Sequence, residues 1–301
     1  FFRSEDPSSP GGARHRFGVL SLLGLAFAAW LWLDGPPFEP PGGIWSGPFR
    51  GDQLAWFIRA LTLSIGVVLV LLSWNQFAPG EVGESQACLL LILAGVNLTV
   101  AANDLVGLFL ALELVSIPTY ILLYLIRASS AGQEAVVKYF LLSVFSSALL
   151  LYGFSFLYGA AGTTNLEAIR AGLVSAAAAP PMILAIALMI VLAGIGFRVT
   201  AVPFHFYAPD VFQGTHAAAA AMLSIVPKLA GFVVLLRLVA ILPAASGVVA
   251  EGLALSQVLT PALWWLAAIT MSFGNMVALW QTNVRRLLAY SSIAHGGYML
   301  V

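Results

Sequence analysis

Four ionisable residues stand inside or beside long apolar runs, and their types suit the movement of protons or ions. Glu113 lies within Leu105–Leu125, about nine residues from the polar break at Asp104, and Lys228 is deep within Ala217–Leu242. Arg198 falls toward the end of Pro181–Val202, just before the stretch Ala201-Val-Pro-Phe-His-Phe-Tyr-Ala-Pro-Asp210. His295 follows Arg286 by nine residues, roughly 13 Å along a helix, which places it near mid-membrane. An ionisable side chain at the centre of a membrane helix costs roughly 2.5–3.5 kcal/mol, so it persists by pairing or by lining water. Such a residue is a functional candidate by default.

Each has a plainer reading. Glu113 and Lys228 could belong to ion pairs that fix helix register without doing chemistry. Arg198 could snorkel, and His295 could be a satisfied histidine in the bundle. Lys138 is the weakest candidate, because it follows Glu134 by four residues near the start of its run and an ordinary i,i+4 pair accounts for it. Arg237, nearer the end of its run, reads as a snorkelling side chain. Pro203 and Pro209 bracket an aromatic segment where an apolar run ends. Proline removes a backbone donor and ends the preceding helix, so Pro203 is expected to stop this one, and a helix break at membrane depth is tolerated only in protein or beside a cavity. His205 and His216 flank this break and could relay protons.

These residues need membrane-spanning elements to hold them. Of 301 residues, 60% are hydrophobic and 9% charged, against about 45–50% and about 25% in soluble domains. Too little polar surface exists to cover a globule in water. Apolar windows long enough to span a bilayer, roughly 20 residues each, recur at Phe17–Leu33, Leu54–Trp74, Ala87–Ala102, Leu105–Leu125, Ala135–Tyr158, Pro181–Val202, Ala217–Leu242 and Pro261–Trp280. A further one opens at Leu287. The connectors Asp34–Asp52, Ala78–Glu84 and Gly159–Gly172 carry Pro, Gly, Thr and Asn. The break at Asn103-Asp104 is so short that its flanking spans should form a tight antiparallel pair. No stretch alternates with a strand period, so the fold class is all-α, a polytopic transmembrane bundle.

On alternate sides of these spans, one face receives Arg3, Arg14, Arg16, Arg127, Arg285 and Arg286, the other Arg50 and Arg170. The richer face is expected to be cytoplasmic, or matrix or stroma in an organelle. Zero net formal charge gives no reason to expect nucleic acid. The single cysteine, Cys88, can form neither an internal disulfide nor a CxxC metal site. The chain begins with Phe and ends at Val301 within an apolar run, so both ends are expected to be cut.

The stretch Ala102-Asn-Asp-Leu-Val-Gly-Leu-Phe-Leu-Ala-Leu-Glu-Leu-Val-Ser-Ile-Pro-Thr-Tyr120 resembles the glutamate-bearing helix of the antiporter-like subunits of respiratory complex I. Lys138–Ser147, Phe197–Gly214 and Arg285–His295 are similar to three further motifs of that family, in the same order. Pro209-Asp-Val-Phe-Gln-Gly214 is closer to the N branch than to the L or M branches.

The resemblance implies inverted five-helix repeats, each with a broken helix and a central ionisable residue. Residues 1–86 would be N-terminal helices and loops, 87–242 the first repeat, and 243–301 the truncated start of a second. Glu113 then matches the family's glutamate, Arg198 its broken-helix lysine, and Lys228 its central lysine. The arginine is a departure. A buried lysine can lose its proton, whereas arginine effectively cannot, so Arg198 would act as a fixed charge. The resemblance further implies a translocase subunit that carries no redox centre. NADH, flavin, iron–sulfur clusters and quinone would belong to partner subunits, and the partners would be other membrane-arm subunits and the lipid bilayer. The alternatives are a multi-chain cation/proton antiporter built on the same module, a membrane subunit of a related complex with another electron donor, and a purely structural membrane scaffold.

Overall fold

A computed structural model describes residues 12–35, 47–78, 80–125, 130–174, 181–241 and 255–301. Arg3 and Arg127, which entered the count of basic residues, lie outside the described residues, as does the side chain of Arg14. Among the described residues the secondary structure is helical, with isolated bridges pairing Phe49 with Ala102 and Asp104 with Asn165.

The helices are α1 (Gly12–Asp34), α2 (Gln53–Ser73), α3 (Val82–Ala101), α4 (Leu105–Tyr124), α5 (Ser130–Ala161), α6 (Leu166–Val174), α7 (Pro181–Arg198), α8 (Tyr207–Gly214), α9 (Ala217–Ile241), α10 (Leu255–Leu279) and α11 (Val284–Tyr298). Each of the nine apolar windows becomes a helix. Seven of the described helices are long and apolar enough to cross a bilayer, and Met182–Arg198 adds a shorter apolar one. The connector reading of Gly159–Gly172 needs correction, because α6 forms in its second half. A further short helix, α8, forms after Pro203, where the sequence marked only prolines and aromatic residues. Both helices are short and carry polar residues, so no apolar run marks them.

Sequence explains the sharp turn between α3 and α4. Asp104 caps α4, its carboxylate accepting from the Val106 and Gly107 N–H groups at 2.8 and 3.2 Å. The turn's own backbone is stitched outward: Asn103 N–H donates to Pro48 O, and Leu105 N–H to Thr164 O. The predicted antiparallel pair forms, and Gly95 allows it. A Cβ at Gly95 would meet the Val115 nitrogen at 2.9 Å, the close backbone approach that small residues permit between membrane helices. Gly153 and Gly194 bring α5 and α7 together in the same way.

α3 and α9 are the most buried spans, while α1 and α10 expose most of their surface. Large apolar side chains such as Phe27, Trp30, Phe145, Trp264 and Met276 point outward. A helix that is apolar all round suits a lipid environment. α9 packs against both α7 and α11, and Gly231 of α9 and Gly296 of α11 both lie against Val199, just after Arg198.

Candidate functional site

α7 stops at Arg198, well before Pro203. Thr200 adopts φ +57°, a left-handed conformation rare for a β-branched residue. Its N–H donates to Phe197 O and that of Ala201 to Gly196 O, the paired bonds of a Schellman cap. The helix is therefore ended by a threonine in the position glycine usually fills, and the expectation that Pro203 ends it is corrected. Pro203 lies in the following turn, after a cis Val202–Pro203 peptide. Pro209 falls within the first turn of α8 rather than in the break, where a proline is tolerated.

This cap leaves Arg198 at the carboxyl end of α7, where the helix dipole favours a cation. Its side chain is 3% exposed, and Nη2 lies 3.2 Å from Glu113 Oε1. Nη1 donates to Ser116 Oγ at 2.8 Å and to Leu112 O at 3.2 Å, and Nη2 also reaches Ser147 Oγ at 3.3 Å. Ser147 donates to the same Glu113 oxygen at 2.5 Å. Thus α4, α5 and α7 each supply part of one polar cluster. Arg198 Nε is buried and makes no hydrogen bond.

Lys228 is 4% exposed on α9. Its ammonium donates to both the carbonyl and the hydroxyl of Ser292 on α11. Pro227 precedes it inside the helix and removes one backbone donor there. A Cβ at Gly231, one turn further along α9, would lie 3.1 Å from Arg198 Cβ. On α11, a Cβ at Gly296 would lie 2.8 Å from Val199 O. The break after Arg198 is therefore held between the helix of Lys228 and the helix of its partner. From α10, the buried Thr270 accepts the Val202 N–H at 3.1 Å.

A second cluster forms where α5, α8 and α11 begin. Asp210 is shared by Lys138 at 2.6 Å and Arg286 at 2.7 Å, while Lys138 also makes the expected i,i+4 pair with Glu134 at 2.6 Å. Burial pushes the Asp210 carboxyl up, but the bonds and charges of Lys138 and Arg286 outweigh it and hold the group below the ordinary carboxylate value. Arg285 donates to Gln213 O and Thr215 O, so the two arginines of α11 grip both ends of α8.

Arg237 does not snorkel. It is buried, bidentate to the Asp52 carboxylate, and donates to Val100 O at 2.6 Å. Asp52 also pairs with Arg50, which reaches Glu167 at 2.7 Å. Burial raises the Asp52 carboxyl, and the Arg237 bonds, the Ala55 N–H and both arginine charges together hold it below its ordinary value.

The histidines stand apart from the charged pair. His205 is buried against Phe206 and Phe273. His216 lies edge-on to Phe77, and the exposed His295 lies against Tyr298. Lys228 thus meets Ser292 rather than His295. Sequence reasoning missed Ser116, Ser147 and Ser292. The available signal was hydroxyls one turn apart, at Ser116 and Tyr120 after Glu113 and at Ser143 and Ser147 on α5. Among the described residues no group of three or more His, Cys, Asp or Glu side chains is arranged to hold a metal ion.

Residues 102–301 match the family described as "NADH:quinone oxidoreductase/Mrp antiporter, TM". The NADH-quinone oxidoreductase subunit N 1 of Solibacter usitatus is 35% identical over 300 residues, covering 98% of this chain and 59% of that protein. Subunit N of Gemmatimonas aurantiaca is 38% identical over 291 residues, covering 95% and 53%. The chain therefore spans between half and three-fifths of the length of these relatives. A chain in the structure of Thermus thermophilus respiratory complex I with bound Aureothin superposes with a TM-score of 0.73 and 32% identity, covering 97% of this chain and 58% of that one. A chain of the Mrp complex from Dietzia sp. shares the fold, with a TM-score of 0.79 at 22% identity over 97% of this chain and 31% of that one. Helical architecture, broken α7 and sequence match agree: the chain belongs to the NADH:quinone oxidoreductase/Mrp antiporter transmembrane family.

Proposed function

We propose that this chain is an N-type membrane-arm subunit of NADH:quinone oxidoreductase that moves protons across a bacterial plasma membrane through Glu113, Arg198 and Lys228. The observation that carries this reading is the Glu113–Arg198 ion pair, its guanidinium buried, with Arg198 packed against Gly231, which stands one helical turn from Lys228. Residues 87–242 would form one antiporter-like repeat, preceded by the helices of 1–86 and followed by the start of a second repeat at 243–301. Electron transfer from NADH through flavin and iron–sulfur clusters to quinone would occur in partner subunits, with other membrane-arm subunits as this chain's neighbours.

The chemistry is electrostatic. Arginine keeps its proton, so Arg198 serves as a fixed positive charge and Glu113 as the group that gains and loses one. When Glu113 takes up a proton, Arg198 loses its counter-charge and the potential at Lys228 becomes more positive. Like charges repel, and more strongly where burial lowers the effective dielectric constant. That repulsion favours release of the Lys228 proton toward the Ser292 hydroxyl, which can both accept and donate. His295, one turn further on but exposed on α11, would take the proton only beyond this chain's interior. Lys138 would hold α8 through Asp210 and carry no proton itself.

Lys228→Ala in the assembled complex, reconstituted into proteoliposomes, tests this function. Loss of proton pumping, or of the quinone reduction coupled to it, is expected. Normal pumping by a fully assembled variant would remove Lys228 from the mechanism.

A further inference from the structure

We infer that the hydroxyls of Tyr120, Ser143, Ser116 and Ser147 form the route by which Glu113 receives its proton from the arginine-rich face. This rests on the role proposed for Glu113. On α4, Glu113, Ser116 and Tyr120 recur at helical spacing, and on α5, Ser143 and Ser147 do the same. The two ladders face each other. Tyr120 donates to Ser143 Oγ at 2.6 Å, and Ser147 donates to Glu113 at 2.5 Å. Arg198 joins the two ends by binding Ser116 and Ser147 at once. Ser143 is fully buried, and Ser116 and Ser147 nearly so.

The ladder has a direction. Tyr120 lies one turn before the end of α4, on the side where Lys138, Asp210 and Arg286 also sit. Its ring packs on Tyr139, the neighbour of Lys138, at 5.7 Å between centroids. Glu113 lies seven residues deeper, or about 10 Å. Hydroxyls spaced over that distance each donate one hydrogen and accept another. Tyr120 and Ser143 make one link and Ser147 and Glu113 another. A water between Ser143 and Ser147, one helical turn apart on α5, would join them. A proton taken up at Tyr120 then passes by O–H exchange, every hydroxyl and the water keeping their own hydrogens and Glu113 carrying the added one. Ser116, now donating to Leu112 O at 2.9 Å, has only to rotate about its Cα–Cβ bond to turn toward the next acceptor. Nothing in packing requires a hydroxyl on Tyr120, since its ring contacts with Tyr139 and Phe140 would survive in phenylalanine.

The test compares Tyr120→Phe, Ser143→Ala and Glu113→Gln in the whole complex, reading proton pumping and its H₂O/D₂O rate ratio. Tyr120→Phe and Ser143→Ala are expected to slow pumping about tenfold, equivalent to ~1.4 kcal/mol of barrier, and to raise the isotope ratio, because proton delivery becomes limiting. A merely structural loss would lower the rate without moving that ratio. Wild-type rate and ratio in both hydroxyl variants, with pumping abolished by Glu113→Gln, would overturn the route and leave the proposed function standing. Full pumping by Glu113→Gln would overturn both.

Discussion

Gly231 of α9 rests against Arg198 at the end of α7, with a Cβ at Gly231 falling 3.1 Å from Arg198 Cβ and 2.9 Å from Val199 Cγ1. Glycine here lets the backbone that carries Lys228 approach the backbone that carries the fixed cation. A side chain would have to push α7 away from α9 or turn Arg198 off Glu113. Overpacking of this kind costs typically 1–3 kcal/mol. Gly231→Ala is therefore expected to lower the thermal stability of the complex and its pumping rate, as measured by Tm and proton uptake. Gly231→Leu should do both more severely. Wild-type behaviour in Gly231→Leu would mean that the two helices need not touch.

Arg198 is treated as a charge rather than a carrier. Arg198→Lys should keep most activity, because an ammonium can still pair with Glu113, although it cannot reproduce contacts to Ser116 and Ser147 together. Arg198→Ala should lose pumping and destabilise the bundle by up to about 3–5 kcal/mol, the upper range for breaking a buried pair; Glu113, 22% exposed, places it toward the lower end. Pumping rates of the two variants, measured side by side, decide this. Equal, full activity in both would remove Arg198.

The lone charges in apolar runs were readable from sequence alone, since membrane burial makes each one costly. Their partners were not. Ser292 rather than His295 faces Lys228 because Gly296 sits against Val199 O. That contact fixes the rotation of α11, turning the face with Ser292 and Gly296 inward and leaving His295, about 100° from Gly296, outside. Helical spacing names positions one turn apart but not which of them is turned inward. The end of α7 was misplaced because a threonine in a left-handed conformation leaves no glycine to mark the stop. Arg237 was misread because Asp52, its partner, lies 185 residues away.

Asp52 and Arg237 close the end of the bundle opposite Asp210. Asp52→Ala leaves a buried guanidinium without its carboxylate, and removal of one partner from a buried pair costs about 3–5 kcal/mol. Asp52 also caps α2 through Ala55 N–H at 2.9 Å, which adds about 1 kcal/mol. Reduced assembly and a lower Tm are expected. An unchanged Tm would show that water replaces the carboxylate at no cost.

The clasp on α8 carries a pH prediction. The Asp210 pKa is held below its ordinary 3.8. Its stabilising contribution is then fully present above that value and is lost only as pH falls through the lower, folded-state pKa. Hydrogen exchange in α8 should therefore be no faster at pH 5 than at pH 8 once corrected for intrinsic rates. Asp210→Asn should raise it at both. A loosening between pH 8 and pH 5 in the unaltered protein would contradict the assignment.

Glu113, Arg198 and Lys228 are held to act as one electrostatic unit, and a double-mutant cycle on proton pumping tests this most directly. Glu113→Gln, Lys228→Ala and the combined variant would be measured in assembled complex in proteoliposomes. Groups acting as a unit are strongly non-additive, so the double variant should pump no worse than Lys228→Ala alone. Losses that simply add, or full pumping by Glu113→Gln, would contradict the coupling.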